Sequence, residues 1–125
     1  MSSPIRVLLV EDNDVFRESL VFLLRAHDDV EVVGAVPDGG SAASACAELG
    51  AEVVGIDYRL PDIDGAETAR LVRDVCPATS VVFLSASVGQ AEQDAARMAG
   101  APLVGKDAGV KSLVDSVRAV AGRAG

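Results

Sequence analysis

Five short apolar runs recur along the chain, and a stretch of helical periodicity follows each one. The runs are IRVLLV at 5–10, VEVVGA at 30–35, EVVGID at 52–57, SVVFLS at 80–85 and PLVG at 102–105. They are continuous rather than alternating, which is the pattern of strands covered on both faces of a parallel sheet. The first helix is expected over 13–27, with Phe16, Leu20, Leu23 and Leu24 on one face and Asn13 or Asp12 as its cap. Further helices are expected over 38–49, 64–75, 91–99 and 110–121. The third stops before Pro77, the fourth ends at Gly100, and the last presents Leu113, Val117 and Val120 on its face. Strand and helix alternate five times, so right-handed crossovers give an α/β fold of (βα)5 type, a doubly wound three-layer sandwich. The 125 residues are the size of one domain and can bury a core of their own.

In an open parallel sheet, ligands bind outside the carboxyl ends of the strands. Here the first strand ends in Glu11 and Asp12, the third in Asp57, the fourth in Ser85 and the fifth at Lys106, while the second ends at Ala35 with nothing reactive. Each of these residues alone is commonplace cap, turn or loop chemistry. Their conjunction at one edge of one sheet is not. Three close carboxylates repel unless a cation neutralises them. Hard oxygen ligands suit Mg²⁺, which shares its shell readily with phosphate oxygens. A carboxylate beside such an ion can attack activated phosphorus, and a lysine and a hydroxyl can stabilise the group in transfer.

The formal net charge is −8, from 11 basic and 19 acidic side chains. That opposes binding to a nucleic-acid backbone, which depends on lysine and arginine displacing counterions. Cys46 and Cys76 lie in apolar helical patterns without a CxxC or Cys/His neighbourhood, and read as reduced cysteines of a cytoplasmic protein. No stretch is long and apolar enough to span a bilayer, and the N-terminal apolar run is broken by Glu11 and Asp12.

With these residues in place, the sequence resembles the receiver domains of two-component response regulators over nearly its whole length. VLLVEDND is similar to the family's first strand and acid pair, VVGIDYRLPDIDG to its phosphoacceptor segment, VVFLSAS to its fourth strand and GAPLVGKDAG to its fifth. DDVEVVGAVPDGGSA and the Lys106-Asp107 pair look most like the NarL/LuxR-like receivers that usually carry a helix-turn-helix output domain. The resemblance implies a flavodoxin-like sheet of order 2-1-3-4-5 and a single receiver domain over 1–125, with no output domain in this chain. It implies that Asp57 accepts a phosphoryl group from the phosphohistidine of a sensor histidine kinase or phosphotransfer domain. Glu11, Asp12, Asp57 and the backbone carbonyl of Arg59 would hold Mg²⁺, with Mn²⁺ able to replace it. Lys106 would pair with phosphoryl oxygens, and Ser85 would swing toward them. Ala86, Ser87 and Arg59 would tune access to the acyl phosphate and its lifetime. Such a chain is no enzyme beyond turnover of its own Asp57. Phosphorylation-dependent homodimerisation is a further implication, and direct nucleic-acid or membrane binding is not expected of the domain.

Two departures from the family pattern stand out. The aromatic residue usual three positions before the lysine is Leu103 here, in a strand-five segment one residue short. The usual readout of the switch is therefore in doubt, and a degenerate, phosphorylation-independent interaction module stays open as an alternative. Many members also place proline after the lysine, often behind a cis bond. Here the residue is Asp107, for which a cis bond would cost about 3 kcal/mol, so the local geometry stays open. A flavin carrier of the same topology is disfavoured, because Glu11-Asp12-Asn13-Asp14 would repel a phosphate without a cation. Gly39-Gly40 reads as a helix-start turn, since no GxxxxGK is present. Val15, Ser19, Phe22 and Ala26 form a second stripe on the first helix, either a docking face for a kinase helix or a contact with the last helix. Tyr58 reads as a partly buried residue beside the acceptor, with a partner contact as the other option.

Overall fold

Each apolar run is a strand and each is followed by a helix in the computed structural model, which describes residues 3–122. In chain order these are β1 (Ile5–Val10), α1 (Asp14–Leu24), β2 (Val30–Val36), α2 (Ala42–Leu49), β3 (Val53–Asp57), α3 (Gly65–Val75), β4 (Ser80–Ser85), α4 (Gln90–Met98), β5 (Leu103–Gly105) and α5 (Val110–Val120). All paired strands are parallel and their order is β2-β1-β3-β4-β5, as the resemblance implies. The β1–β2 ladder has one irregularity between Val7 and Leu8, where Val33 of β2 is passed over.

The side-chain period of two explains how a continuous apolar strand serves two cores. In β1, Ile5, Val7 and Leu9 join the cluster under α1 and α5, with Leu20, Leu24, Leu113 and Val117. Leu8 and Val10 point the other way, into the cluster under α2, α3 and α4, with Cys46, Ala69, Val72 and Ala96. Each fully buried Val, Leu or Ile contributes about 1.5–3 kcal/mol of hydrophobic stabilisation.

Several boundaries differ from the sequence expectation. α1 stops at Leu24 rather than 27, because the amides of Ala26 and His27 bond three residues back, to Leu23 and Leu24, in a tighter turn. Leu23, expected in the core stripe, is 44% exposed. Asn13 is the cap, accepting from the Phe16 amide at 2.8 Å. The segment expected as a helix from 38 begins as a 3-10 turn over Gly39–Ser41, capped by Asp38, and only Ala42–Leu49 is α-helical. β2 runs one residue further, to Val36, and β3 and β5 each begin one residue later than expected. Gly100 does follow α4, and its φ of 69° suits a residue without a Cβ. The Val15–Phe22 stripe does not pack on α5: the two are 75% and 77% exposed. Cys46 is buried and Cys76 half-buried, and both are free thiols. No described peptide bond is cis, so Lys106-Asp107 is trans.

Candidate functional site

The carboxyl ends of β1, β3, β4 and β5 bring Glu11, Asp57, Ser85 and Lys106 to one edge. One carboxylate oxygen from each of Glu11, Asp12 and Asp57 lies within 4.8 Å of the others, a grouping that could hold a metal ion. Glu11 is fully buried and Asp57 nearly so, while Asp12 is exposed. The cluster is therefore dry on two sides and open at Asp12.

Lys106 reaches into this cluster. Its ammonium lies 2.5 Å from Glu11 Oε1 and donates a hydrogen bond to Asp57 Oδ2 at 3.0 Å. It also stands 4.9 Å from the centroid of the Phe16 ring, over its face. Burial is the largest influence on this ammonium and favours deprotonation, but the hydrogen bonds and charges of Glu11 and Asp57 outweigh it and hold the lysine above its usual value. Glu11 is raised as well, which for a carboxylate disfavours the charged form. Burial raises it, the Lys106 contact and the Asn13 amide at 3.0 Å lower it, and the Asp57 charge raises it again; the net direction is up. Glu11 is fully buried and its Oε1 faces the Lys106 ammonium. A buried carboxylate is expensive unless a cation faces it. One ammonium against three carboxylates leaves the cluster acidic, so the donor set fits a hard divalent cation.

The backbone around the cluster is held locally. The Glu11 amide donates to Val36 O at 3.0 Å, and Arg17 Nη1 donates to Glu11 O at 2.8 Å, fixing the turn out of β1. The Arg59 amide donates to Asp57 Oδ1 at 3.2 Å. The Tyr58 carbonyl accepts from Gly65 N at 2.8 Å, so α3 begins against the end of β3. A Cβ on Gly65 would stand 2.7 Å from Tyr58 Cα, which is why only glycine fits there. The Lys106 amide donates to Ser85 O at 2.8 Å and so couples the last two strand ends.

Ser85 is buried, and its Oγ accepts from the Ser87 amide at 3.2 Å. Ala86 and Ser87 are exposed on the loop into α4. The Arg59 side chain is 79% exposed and its Nη2 lies 3.9 Å from Glu92 Oε1 in the first turn of α4. Leu103 is half-buried and pairs in register with Phe83. The aromatic pair of this region is instead Tyr58 against Phe83, edge to face with centroids 5.9 Å apart. Gly39 and Gly40 donate their amides to the Asp62 carboxylate at 3.0 and 2.8 Å, so that turn is satisfied from within the chain.

Two residues beside the site carried no signal in the sequence. Phe16 falls on the apolar face of α1 and reads as core, although one face of its ring meets Lys106. Glu92 is one of several acidic residues on a polar helix, and its proximity to Arg59 depends on how α4 sits against the β3–α3 loop.

Residues 7–118 match the family model described as the response regulator receiver domain. The chain is 34% identical over 88 residues to a protein-glutamate methylesterase/protein-glutamine glutaminase of Nitrosospira multiformis, covering 70% of this chain and 24% of that protein. It is 37% identical over 90 residues to the probable transcriptional regulatory protein NarL of Mycobacterium tuberculosis, covering 69% of this chain and 42% of that one. The chain thus spans less than half the length of either curated relative. Among solved structures, the receiver domain of the putative response regulator NarL from Mycobacterium tuberculosis superposes with a TM-score of 0.83 at 32% identity, over 94% of this chain and 98% of that one. A LuxR-family two-component response regulator from Aurantimonas sp. superposes at 0.88 with 30% identity, over 97% and 88% of the two chains. With the match across the sheet and all five helices, this chain belongs to the response regulator receiver domain family.

Proposed function

We propose that the chain is a phosphoacceptor receiver in which Asp57 takes a phosphoryl group from the phosphohistidine of a sensor histidine kinase or phosphotransfer domain. The observation that carries this reading is the Lys106 ammonium set against Glu11 and Asp57 at 2.5 and 3.0 Å, in a cluster where Glu11, Asp12 and Asp57 bring carboxylate oxygens within 4.8 Å of one another. An Asp57 carboxylate oxygen attacks phosphorus, the P–N bond breaks, and the imidazole keeps the electron pair. The product is an acyl phosphate on Asp57. Glu11, Asp12, Asp57 and the Arg59 carbonyl would hold Mg²⁺ (or Mn²⁺), which supplies charge neutralisation for phosphoryl oxygens when bound. Lys106 keeps its contact on the Asp57 side and pairs with a phosphoryl oxygen. Among the described residues the Ser85 hydroxyl accepts from the Ser87 amide, and its own proton can be donated to another group. Donating it draws Ser87, and the loop leading to α4, toward the pocket. Ala86 leaves the entrance unblocked, and Ser87 and Arg59 flank it, where they tune the lifetime of the acyl phosphate.

The change at the β4–α4 loop would alter binding to a partner, a second copy of the chain included. Among the described residues no helix is long and apolar enough to cross a membrane, and the net charge of −8 opposes direct nucleic-acid binding, so a cytoplasmic signalling role suits the chain. A transcriptional output would suit a protein like its NarL relative, a probable transcriptional regulatory protein of which the chain covers 42%. Leu103 favours one competing reading, an interaction module that no longer uses phosphate, because no aromatic rotamer is present in β5 to follow Ser85.

Incubation with acetyl phosphate and Mg²⁺ should add one phosphoryl group by intact mass, and Asp57→Asn should abolish the addition. An unchanged mass for the wild-type chain would refute the proposal and favour the phosphate-independent module.

A further inference from the structure

We infer that Phe16 is a positioning residue for Lys106, its ring face holding the ammonium at the edge of Asp57 whatever cation or anion enters the pocket. This rests on the phosphoacceptor reading above. Among the described residues the ammonium meets Glu11 at 2.5 Å, Asp57 at 3.0 Å and the Phe16 ring at 4.9 Å. The first two are carboxylates of the same cluster that could hold a metal ion. Their attraction for Lys106 falls once a divalent cation shares their oxygens, and that cation repels the ammonium directly. The ring is different. Its attraction comes from a fixed quadrupole, carries no net charge, and does not change when the cluster gains a cation or Asp57 gains a phosphoryl group.

The ring is also held in place. The Phe16 amide donates to Asn13 Oδ1 at 2.8 Å, and the side chain packs against the buried cluster under α1 and α5. Lys106 is only 20% exposed, so the contact is partly shielded from water. The lysine, with its long flexible stem, gains a fixed landing point that neither acid provides in every charge state of the pocket. Leucine at position 16 would keep the apolar packing and lose the quadrupole. Tyrosine would keep both.

The test uses the whole chain with acetyl phosphate at saturating Mg²⁺, following phosphoryl addition by intact mass over time. Phe16→Leu should slow addition about two- to fivefold, the range of one cation–π contact near a surface. Phe16→Tyr should restore the wild-type rate, which a loss of packing alone would not require. Independently of activity, the Lys106 ε-methylene protons should show an upfield ring-current shift by NMR in the wild type and Phe16→Tyr, and lose it in Phe16→Leu. A leucine variant as fast as wild type, a tyrosine variant as slow as leucine, or an unshifted wild-type methylene would overturn the inference. A wild-type chain that takes no phosphoryl group would instead overturn the functional reading, and the positioning role with it.

Discussion

Lys106 Nζ stands 2.5 Å from Oε1 of the fully buried Glu11, one ammonium set among the carboxylates of Glu11, Asp12 and Asp57. The ammonium compensates one of these charges and leaves the cluster acidic. A divalent cation held by Glu11, Asp12 and Asp57 would neutralise the remaining charge, so its binding should stabilise the fold. At a Mg²⁺ concentration ten times its dissociation constant the gain is about 1.4 kcal/mol by mass action. For a domain of this size that is about 4–8 °C in Tm. A thermal melt with and without Mg²⁺ measures it, and an unmoved Tm at millimolar Mg²⁺ would contradict the site.

Glu11→Gln should raise the stability of the metal-free chain at neutral pH. Burial pushes the Glu11 carboxyl up, beyond what Lys106 and the Asn13 amide recover, so holding it ionised opposes folding. For an acid with a raised folded pKa, the favourable contribution is present below the unfolded value and is lost as pH rises through the folded one. A neutral isostere removes that loss, with a gain of about 1 kcal/mol of the kind seen where function retains an unfavourable group. The same variant should lose most of the Mg²⁺-induced rise in Tm. Urea melts of both proteins, with and without Mg²⁺, check the pair of outcomes; a less stable metal-free variant would contradict the first.

Gly65→Ala should destabilise the chain by about 1–3 kcal/mol, the usual cost of forcing atoms into a packed site. The added Cβ would meet the backbone of Tyr58 at 2.7 Å and of Asp57 at 3.0 Å, and neither can rotate away. Since Asp57 is the proposed acceptor, phosphorylation should slow as well. Chemical denaturation reads the first effect and the acetyl phosphate time course the second.

Arg118 binds Asp29 through two hydrogen bonds, at 2.6 and 3.2 Å, tying α5 to the turn before β2. This arginine beside Asp29 holds its carboxyl below the usual carboxylate range. The Asp29 side chain is 45% exposed, so solvent screens the pair and the contribution is at most about 1 kcal/mol. A depressed folded pKa means the contribution is present above the unfolded value, about 3.9, and disappears as pH falls through the folded one. Arg118→Ala should therefore be less stable than wild type at neutral pH, with the gap closing in acid below that value. Urea midpoints across the acid range test the sign.

Much of this molecule was legible from local rules. Continuous apolar runs such as SVVFLS can be covered on both faces only in a parallel sheet, and that decides which strand ends face one edge. Glu11, Asp57, Ser85 and Lys106 are next to those ends in the chain, so their convergence follows from strand period and topology. The helix ends were less legible. Where α1 stops depends on which carbonyl each amide finds, and the amides of Ala26 and His27 find the nearer ones.

The remaining features were decided by contacts between residues distant in sequence. Phe16 and Lys106 belong to opposite ends of the chain and meet because α1 and the end of β5 lie at the same edge of the sheet. Whether Val15 and Phe22 would be covered depended on the spacing of α1 and α5, and the helices leave both exposed. Periodicity states which face of an element is apolar. It carries no information on the distance between two elements, and the charge balance inside the pocket depends on that distance.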